Sequence, residues 1–186
     1  MKKEIKIAPL VYPQPVIMIA TYNEDGSVDV MNAAWGGAAD NDMIMISLSD
    51  NHATVKNLLR NKAVTISMPT AEHIKEADYF GMVSSLNTKG KFERTGLHAH
   101  KAETVNAPVI EEFPVCLECE FDSVDDYGIY FFKIKKAIAE EKVLDAQGNL
   151  DLSKCDGVLF DVATGKYFRI GEYLAKAFSI GREVKK

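Results

Sequence analysis

The pattern of apolar and polar positions predicts a chain built mostly of β-strands. Apolar or alternating runs recur between turn signals, at 16–22, 27–33, 43–49, 63–69, 115–124, 129–143 and 157–163. The run at 43–49, MIMISLS, is typical of a strand buried on both faces. The segment 33–42 is rich in Gly, Ala, Asn and Asp, so it predicts a loop.

Helical signals are confined to three short segments. They are the residues around Val55, Leu58 and Leu59, the segment 70–81 with Thr70 as its N-cap, and the segment 172–181 ended by Gly181. The stretch 84–103 shows no clean period and predicts a long loop, which in a compact domain is often functional.

These elements predict one domain over 1–186, with an extended N-terminal arm over about 1–15 that contains three prolines. Seven or so strands with two or three short helices favour a mainly β fold of the α+β kind, a largely antiparallel barrel. We find no internal repeat and no linker between separate domains.

Charge and composition narrow the function classes. A net charge of −5 and an acidic pI of about 5.4 argue against a nucleic-acid-binding protein. No run approaches the roughly 20 apolar residues that span a bilayer. The N-terminal residues lack the continuous apolar core of a signal peptide. With three cysteines and no export signal, we expect free thiols and a cytoplasmic protein without a membrane partner.

Familiar catalytic signatures are missing from the sequence: we find no dinucleotide-binding G-x-G-x-x-G, P-loop or G-x-S-x-G elbow. Cys116 and Cys119 form a lone C-x-x-C on a predicted strand, where residues three apart face opposite sides, so buried structural cysteines are favoured over a metal or disulfide. His98 and His100 would share a strand face, as metal ligands do, but exposed loop histidines are the more common outcome.

Polar residues cluster just before the first predicted helix. Ser49, Asn51, His52 and Thr54 offer hydroxyl, amide and imidazole groups next to backbone N–H groups that have no helical partner. A helix start of this kind binds phosphate well, because the backbone donors and the helix dipole act together. The alternative is ordinary capping by Asn51 or Thr54, which requires only one of these residues.

The single tryptophan, Trp35, lies among Ala33, Ala34, Gly36 and Gly37. Small neighbours let a flat heterocycle approach the backbone, whose N–H and C=O groups then read its edge. The alternative is a tryptophan in the core or in a dimer interface, which is the more common fate of this residue.

Taken together, four segments resemble the flavin reductase-like family with the FMN-binding split barrel, and in particular its flavoredoxin-type members. They are VDVMNAAWGGAADND, ISLSDNHATVKNLLRNKAVTISMP, SSLNTKGKFERTGL and YFRIGEYLAKAFSIGR, which occur in the family's order within residues 10 to 181. The resemblance implies an antiparallel split β-barrel and a homodimer that holds FMN near the subunit interface.

By position, the resemblance also implies the cofactor-binding residues. Met31, Asn32, Ala33, Ala34 and Trp35 would line the isoalloxazine, Ser47, Leu48 and Ser49 would contact the ring and ribityl chain, and His52 and Thr54 would bind the phosphate. Lys89, Lys91 and Phe92 match the family's Lys-Phe segment, in which a lysine near the ring would stabilise negative charge on the reduced flavin.

Two positions depart from the family pattern. Ser84-Ser85 stands where Ser-Gly is common, which affects the conformation of the 84–92 loop. His52 stands where arginine is common, which predicts weaker or pH-sensitive phosphate binding.

Three functions stay open at this point. The resemblance implies an oxidoreductase in which NADH or NADPH passes hydride to the flavin, and this chemistry requires no side-chain acid or base and no metal. The second function is a non-catalytic FMN-binding electron carrier supplied by a redox partner. The third is a dimeric interaction module that binds no flavin.

Overall fold

The computed structural model describes residues 1–11 and 13–184, which form a mainly β structure. The strands are Gln14–Pro15 (β1), Ile17–Tyr22 (β2), Val28–Ala33 (β3), Gly36–Asp40 (β4), Met43–Ser47 (β5), Ala63–Ser67 (β6), Ala99–Lys101 (β7), Pro108–Ile110 (β8), Val115–Val124 (β9), Ile129–Ala139 (β10), Val158–Asp161 (β11) and Lys166–Arg169 (β12). In the predicted arm over 1–15, residues 1–11 have no regular secondary structure and are exposed apart from the half-buried Leu10, whereas Tyr12 lies outside the described residues.

Helices are short and few in this part of the chain. The α-helices are Ala53–Asn61 (α1) and Ile74–Met82 (α2), and the 3₁₀-helices are Glu93–Thr95, Glu141–Val143, Leu152–Lys154 and Ile180–Glu183. Within 1–11 and 13–184, no helix combines the length and the apolar character that a bilayer crossing requires.

Seven strands form one antiparallel sheet in the order β3-β2-β6-β9-β10-β5-β4. At about 4.8 Å between neighbouring strands, the two edges of a flat seven-stranded sheet would lie roughly 29 Å apart. Yet β3 and β4 are the two edge strands, and the connection Ala34-Trp35 spans at most about 11 Å between their ends. The sheet must therefore curl into an open barrel, which confirms the predicted fold class.

The strand β2 separates two hydrophobic clusters. Ile17 and Ile19 face the interior of the curled sheet, together with Val55 and Leu58 of α1. The alternate residues Met18 and Ala20 face a second cluster, which α2 and the 92–113 segment cover with Phe80, Phe92 and Phe113. This strand is therefore buried on both faces, as its run of apolar residues requires.

The prediction of a loop over 33–42 is wrong for Gly36–Asp40, which is the edge strand β4. A Cβ atom on Gly36 would lie 2.8 Å from the Met45 carbonyl oxygen, so a glycine is what lets this strand pair with β5. The prediction that β5 is buried on both faces is also wrong. Ile46 is buried, but Met45 is 38% exposed, because no element of the described chain covers its face.

Two predicted helix boundaries differ from the structure. The helix predicted over 70–81 begins at Ile74, and Thr70 pairs with Gly157 in an isolated β-bridge instead of capping the helix. In α1, the predicted apolar face is confirmed for Val55 and Leu58, whereas Leu59 is 39% exposed.

The predicted C-terminal helix over 172–181 is wrong. Residues 172–176 have no regular structure, and Gly181 lies inside the 3₁₀-helix Ile180–Glu183 instead of ending a helix. Leu174 and Phe178 are almost fully exposed, and a short helix without packing is only marginally stable in water. The sequence pattern also missed β12, which pairs with β11 across a tight turn.

Candidate functional site

A cavity of about 190 Å³ lies at the start of α1, between β3, α2 and the 84–91 loop. Its lining includes five residues that the sequence predicts to bind a cofactor, namely Met31, Asn32, His52, Thr54 and Lys91. Ser84 and Ser85 complete its wall on the loop side. The structure therefore brings together three segments that lie far apart in the sequence.

The loop that leads into α1 is anchored to the sheet. The Leu48 N–H donates to the Gly128 carbonyl at 3.0 Å, and the Tyr130 hydroxyl donates to Asp50 Oδ1 at 2.5 Å. Burial, and then the hydrogen bond to the Asp50 carboxylate and its charge, raise the pKa of Tyr130 to about 12. The start of the helix is thus held in place before any ligand arrives.

The N-cap residue of α1 is His52, and within 1–11 and 13–184 no side chain accepts a hydrogen bond from the first turn of the helix. Capping by Asn51 or Thr54 is therefore excluded as the explanation of this polar cluster. Thr54 is buried, and its hydroxyl donates instead to Asp29 Oδ2 at 2.5 Å. The first-turn N–H groups are left to attract an anion.

A buried ion pair stands beside this helix start. Lys91 is 4% exposed and Asp29 is fully buried, and the Lys91 Nζ atom lies 3.6 Å from Asp29 Oδ1. Burial lowers the pKa of Lys91, and the charge of Asp29 opposes that shift. The sequence analysis missed Asp29, although a single carboxylate inside the apolar strand VDVMNA is a signal for a buried polar contact.

Two buried oxygen atoms lack a hydrogen-bond partner within 1–11 and 13–184: Asp29 Oδ1, which belongs to the ion pair, and Ser85 Oγ, which lines the cavity. Buried polar atoms in folded proteins are nearly always paired, so an unpaired group at a cavity is available to a ligand there. Ser85 lines the same cavity as Lys91 and supplies a donor there. The departure from Ser-Gly at 84–85 thus adds a polar group to the site.

Trp35 lies next to the anchored loop and is 45% exposed. Its carbonyl accepts a hydrogen bond from the Ser47 N–H at 2.8 Å, which joins the segments 33–35 and 47–49 side by side. A core position for Trp35 is thereby excluded, whereas an interface position stays open.

Asn32 donates from Nδ2 to the Ala77 carbonyl at 3.0 Å, which fixes its amide against α2.

The remaining predicted residues are placed differently. Ala33 and Ala34 are half-buried, Ser47 and Ser49 are exposed, and Leu48 belongs to the core. Lys89 is exposed and lines an adjoining polar cavity of about 360 Å³, so it does not reach the cavity at α1.

The third residue of the Lys-Phe segment, Phe92, is buried against Phe80. The two rings stack at 6.2 Å between centroids and 9° between planes. Phe92 therefore holds the loop to the core and does not line the cavity.

The cavity, at about 190 Å³, is smaller than the roughly 300–1,000 Å³ that is usual for small-molecule sites. Four other cavities are larger. One is the adjoining polar cavity of about 360 Å³ at Lys89. The other three measure about 530 Å³ beside 145–153 and 170–173, about 410 Å³ beside 100–116 and 138–140, and about 350 Å³ beside 61–63, 104–106 and 120–121. They contain none of the predicted cofactor-binding residues. We favour the cavity at α1, because there a buried cation lies beside an uncapped helix start.

The cysteines and histidines considered as metal ligands are either buried in hydrophobic clusters or paired with glutamates at the surface. Cys116 and Cys119 are free, buried and contribute to different hydrophobic clusters, and burial raises the pKa of both thiols. His98 and His100 are exposed and pair with Glu112 and Glu111. The described part of the chain contains no group of three or more side chains that could hold a metal ion.

Comparisons with known proteins show the family and the fold of this chain. Residues 10–152 match the family described as the flavin reductase like domain. Flavoredoxin of Desulfovibrio vulgaris (Miyazaki F) is 33% identical, with a TM-score of 0.93 over 97% of this chain and 100% of that one. Flavoredoxin from Methanosarcina acetivorans is 26% identical, with a TM-score of 0.86 over 99% and 100% of the two chains.

An FMN-binding domain of a flavin reductase-like enzyme from Shewanella baltica OS155 shares the fold, at 19% identity and a TM-score of 0.77 over 88% of this chain and 89% of that one. The resemblance found in the sequence is thereby confirmed. The family match covers residues 10–152, and the similarity to flavoredoxin extends over nearly the whole chain. This chain therefore belongs to the flavin reductase-like domain family.

Proposed function

We propose that this chain binds FMN at the cavity beside α1 and acts as a flavoprotein oxidoreductase, an NAD(P)H-dependent flavin reductase. The observation that carries the proposal is the buried Lys91 ammonium beside an uncapped helix start. Family membership and the FMN-binding neighbour support the same cofactor.

The residues present fit an FMN phosphate. In this proposal the first-turn N–H groups of α1, the Lys91 ammonium and the unpaired Ser85 hydroxyl provide donors, and the exposed His52 lies at the mouth. Thr54 contributes indirectly, because its hydroxyl proton is already donated to Asp29. The Lys91 side chain is thus better suited to the phosphate than to the ring.

The ring would lie along 33–35 and 47–49, where the Trp35 carbonyl and the Ser47 N–H join the two segments. Bound FMN would supply the redox chemistry, by accepting hydride from NADH or NADPH and passing electrons to an acceptor. The protein's residues would bind, orient and shield the cofactor. The cavity needs no side-chain acid or base for this role.

We further propose a homodimer. The cavity is too small for a whole flavin, and the exposed Trp35 and Met45 lie on neighbouring segments of the uncovered sheet edge. A second copy over this edge would bury both side chains and complete the ring site. We also retain a single domain over 1–186 and a cytoplasmic location as predictions.

The second candidate is an FMN-binding electron carrier that receives electrons from a partner protein. The similarity to flavoredoxin, at 33% identity over 97% of the chain, favours this candidate. It uses the same cofactor site and differs only in the electron donor.

Rapid mixing of the FMN-loaded protein with NADH or NADPH without oxygen separates the two candidates. Loss of the flavin absorbance near 450 nm, in the absence of any partner protein, supports the reductase. A loaded protein that keeps its absorbance at millimolar nucleotide is not an NAD(P)H-dependent reductase, and the carrier then stands. Free FMN at the same concentration is the control.

A further inference from the structure

Asp29 is the one acidic residue that belongs to the buried ion pair at the cavity. It is fully buried in β3, its Oδ2 atom accepts a hydrogen bond from the Thr54 hydroxyl, and its Oδ1 atom has no hydrogen bond within the described residues. The Lys91 Nζ atom is 3.6 Å from Oδ1, beyond hydrogen-bond distance. The ammonium is therefore held near the carboxylate by charge, with N–H groups available to a ligand.

This arrangement is unusual for a phosphate site, because a carboxylate lies beside the lysine. Lys91 and Asp29 cancel, so the buried side chains give the cavity no net positive charge. A phosphate that reaches Lys91 also comes close to the Asp29 carboxylate. At these separations inside a protein, two like charges repel strongly enough to change an affinity tenfold or more.

We propose that Asp29 is a positioning residue that competes with the cofactor phosphate for Lys91, and so keeps FMN binding weak enough for the cofactor to exchange. This inference rests on the proposed FMN site. Thr54 has a part in it, because its hydrogen bond holds the carboxylate on the protein side of Lys91. The predicted effect is specific for the phosphate and does not extend to the flavin ring.

The test compares the Asp29→Asn variant with the unmodified chain. Calorimetry measures the affinity of each for FMN and for riboflavin, and the ratio of the two affinities is the readout. Asparagine has the shape of aspartate and still pairs with Thr54, but it leaves the Lys91 charge to the ligand. We expect FMN to bind at least ~10-fold more tightly and riboflavin, which lacks the phosphate, to bind as before.

Asp25→Asn is the matched control, because it removes the same charge from an exposed turn near the loop 84–91. We expect its affinity ratio to stay at the value of the unmodified chain. A comparison of the single variant Lys91→Gln with the double variant that also contains Asp29→Asn tests whether Asp29 acts through Lys91. Once Lys91 is replaced, adding Asp29→Asn should leave the affinity ratio unchanged.

Asp29→Asn leaves Lys91 buried without a counter-charge, so the variant is expected to be less stable and to be stabilised by FMN more than by riboflavin. A variant that stays unfolded with FMN overturns the proposal, because the phosphate was expected to replace the carboxylate. Weaker FMN binding, or an equal change for both flavins, overturns it as well. If the unmodified chain binds neither flavin, the proposed function itself is wrong.

Discussion

Gly36 and Gly37 provide a sharp test of how the edge strand β4 positions the ring site. A Cβ atom on Gly36 would lie 2.8 Å from the Met45 carbonyl oxygen and 2.9 Å from Ile17 Cδ1, whereas one on Gly37 would meet nothing within 4 Å. Neither glycine has a positive φ angle. Alanine at the two positions therefore differs in the space available and not in backbone strain.

The expected effect of Gly36→Ala follows from this contact. The obstructing atom is a backbone oxygen of the paired strand, so the clash is relieved only if β4 moves away from β5. Overpacking of this kind costs about 2 kcal/mol, which in a chain of this size lowers the melting temperature by about 4–8 °C. Gly37→Ala is expected to be neutral or to stabilise by about 0.5 kcal/mol, because it restricts only the unfolded chain.

Thermal and urea unfolding of both variants measure the stability, and a calorimetric FMN titration measures the site. Because Trp35 immediately precedes Gly36 and its carbonyl accepts the Ser47 N–H, a shift of β4 should also weaken FMN binding. Equal melting temperatures for the two variants would refute the reasoning about close packing. Unchanged FMN affinity in a destabilised Gly36→Ala would separate β4 from the ring site.

Three further predictions concern the ring site and its anchored loop. Trp35→Ala should weaken FMN binding more than Cys119→Ser does, because only Trp35 lies at the proposed ring site, and equal affinities in titrations of both variants would remove Trp35 from it. Tyr130→Phe should cost about 1–2 kcal/mol in urea unfolding, because Asp50 loses its hydrogen bond, whereas Tyr127→Phe at an exposed turn should be neutral. The raised pKa of Tyr130, about 12 against an ordinary 10.0, means that its contribution to stability is complete below pH 10.0 and is lost as pH rises through about 12. Urea unfolding across that range should therefore show a smaller loss in Tyr130→Phe than in the unmodified chain, and identical pH profiles would contradict the assignment.

The local pattern of apolar residues was sufficient to predict the strands that are buried on at least one face. The runs at 16–22, 27–33, 63–69 and 115–124 contain the observed strands β2, β3, β6 and β9, because their apolar residues must face a cluster. The run at 129–143 contains β10 but extends beyond Ala139 into a 3₁₀-helix. Burial on alternate faces leaves a clear period in the sequence.

The missed elements depend on contacts that no local pattern contains. The strand β4 consists of small and polar residues, and it forms because Gly36 allows close pairing with β5. The tail at 172–181 has apolar residues at helical spacing, but the described chain offers them nothing to pack against. Thr70 resembles an N-cap, yet it is used in a bridge to Gly157 from a distant part of the sequence.

The candidate site was predictable in outline and not in its chemistry. Residue type predicted the polar helix start and the segment around Trp35, and the family resemblance added Lys91. They did not reveal that Thr54 donates its proton to Asp29, nor that Phe92 stacks on Phe80 in the core. Side-chain direction is set by packing between segments, so these roles emerged only from the fold.

A crystal structure of the chain grown with FMN would show whether the cofactor binds beside α1. We expect the phosphate at the start of α1, within hydrogen-bond distance of Lys91 Nζ and Ser85 Oγ, and the ring along 33–35 and 47–49. An FMN molecule in any of the three larger cavities that lack the predicted residues, or crystals that remain without flavin at millimolar FMN, would contradict this proposal.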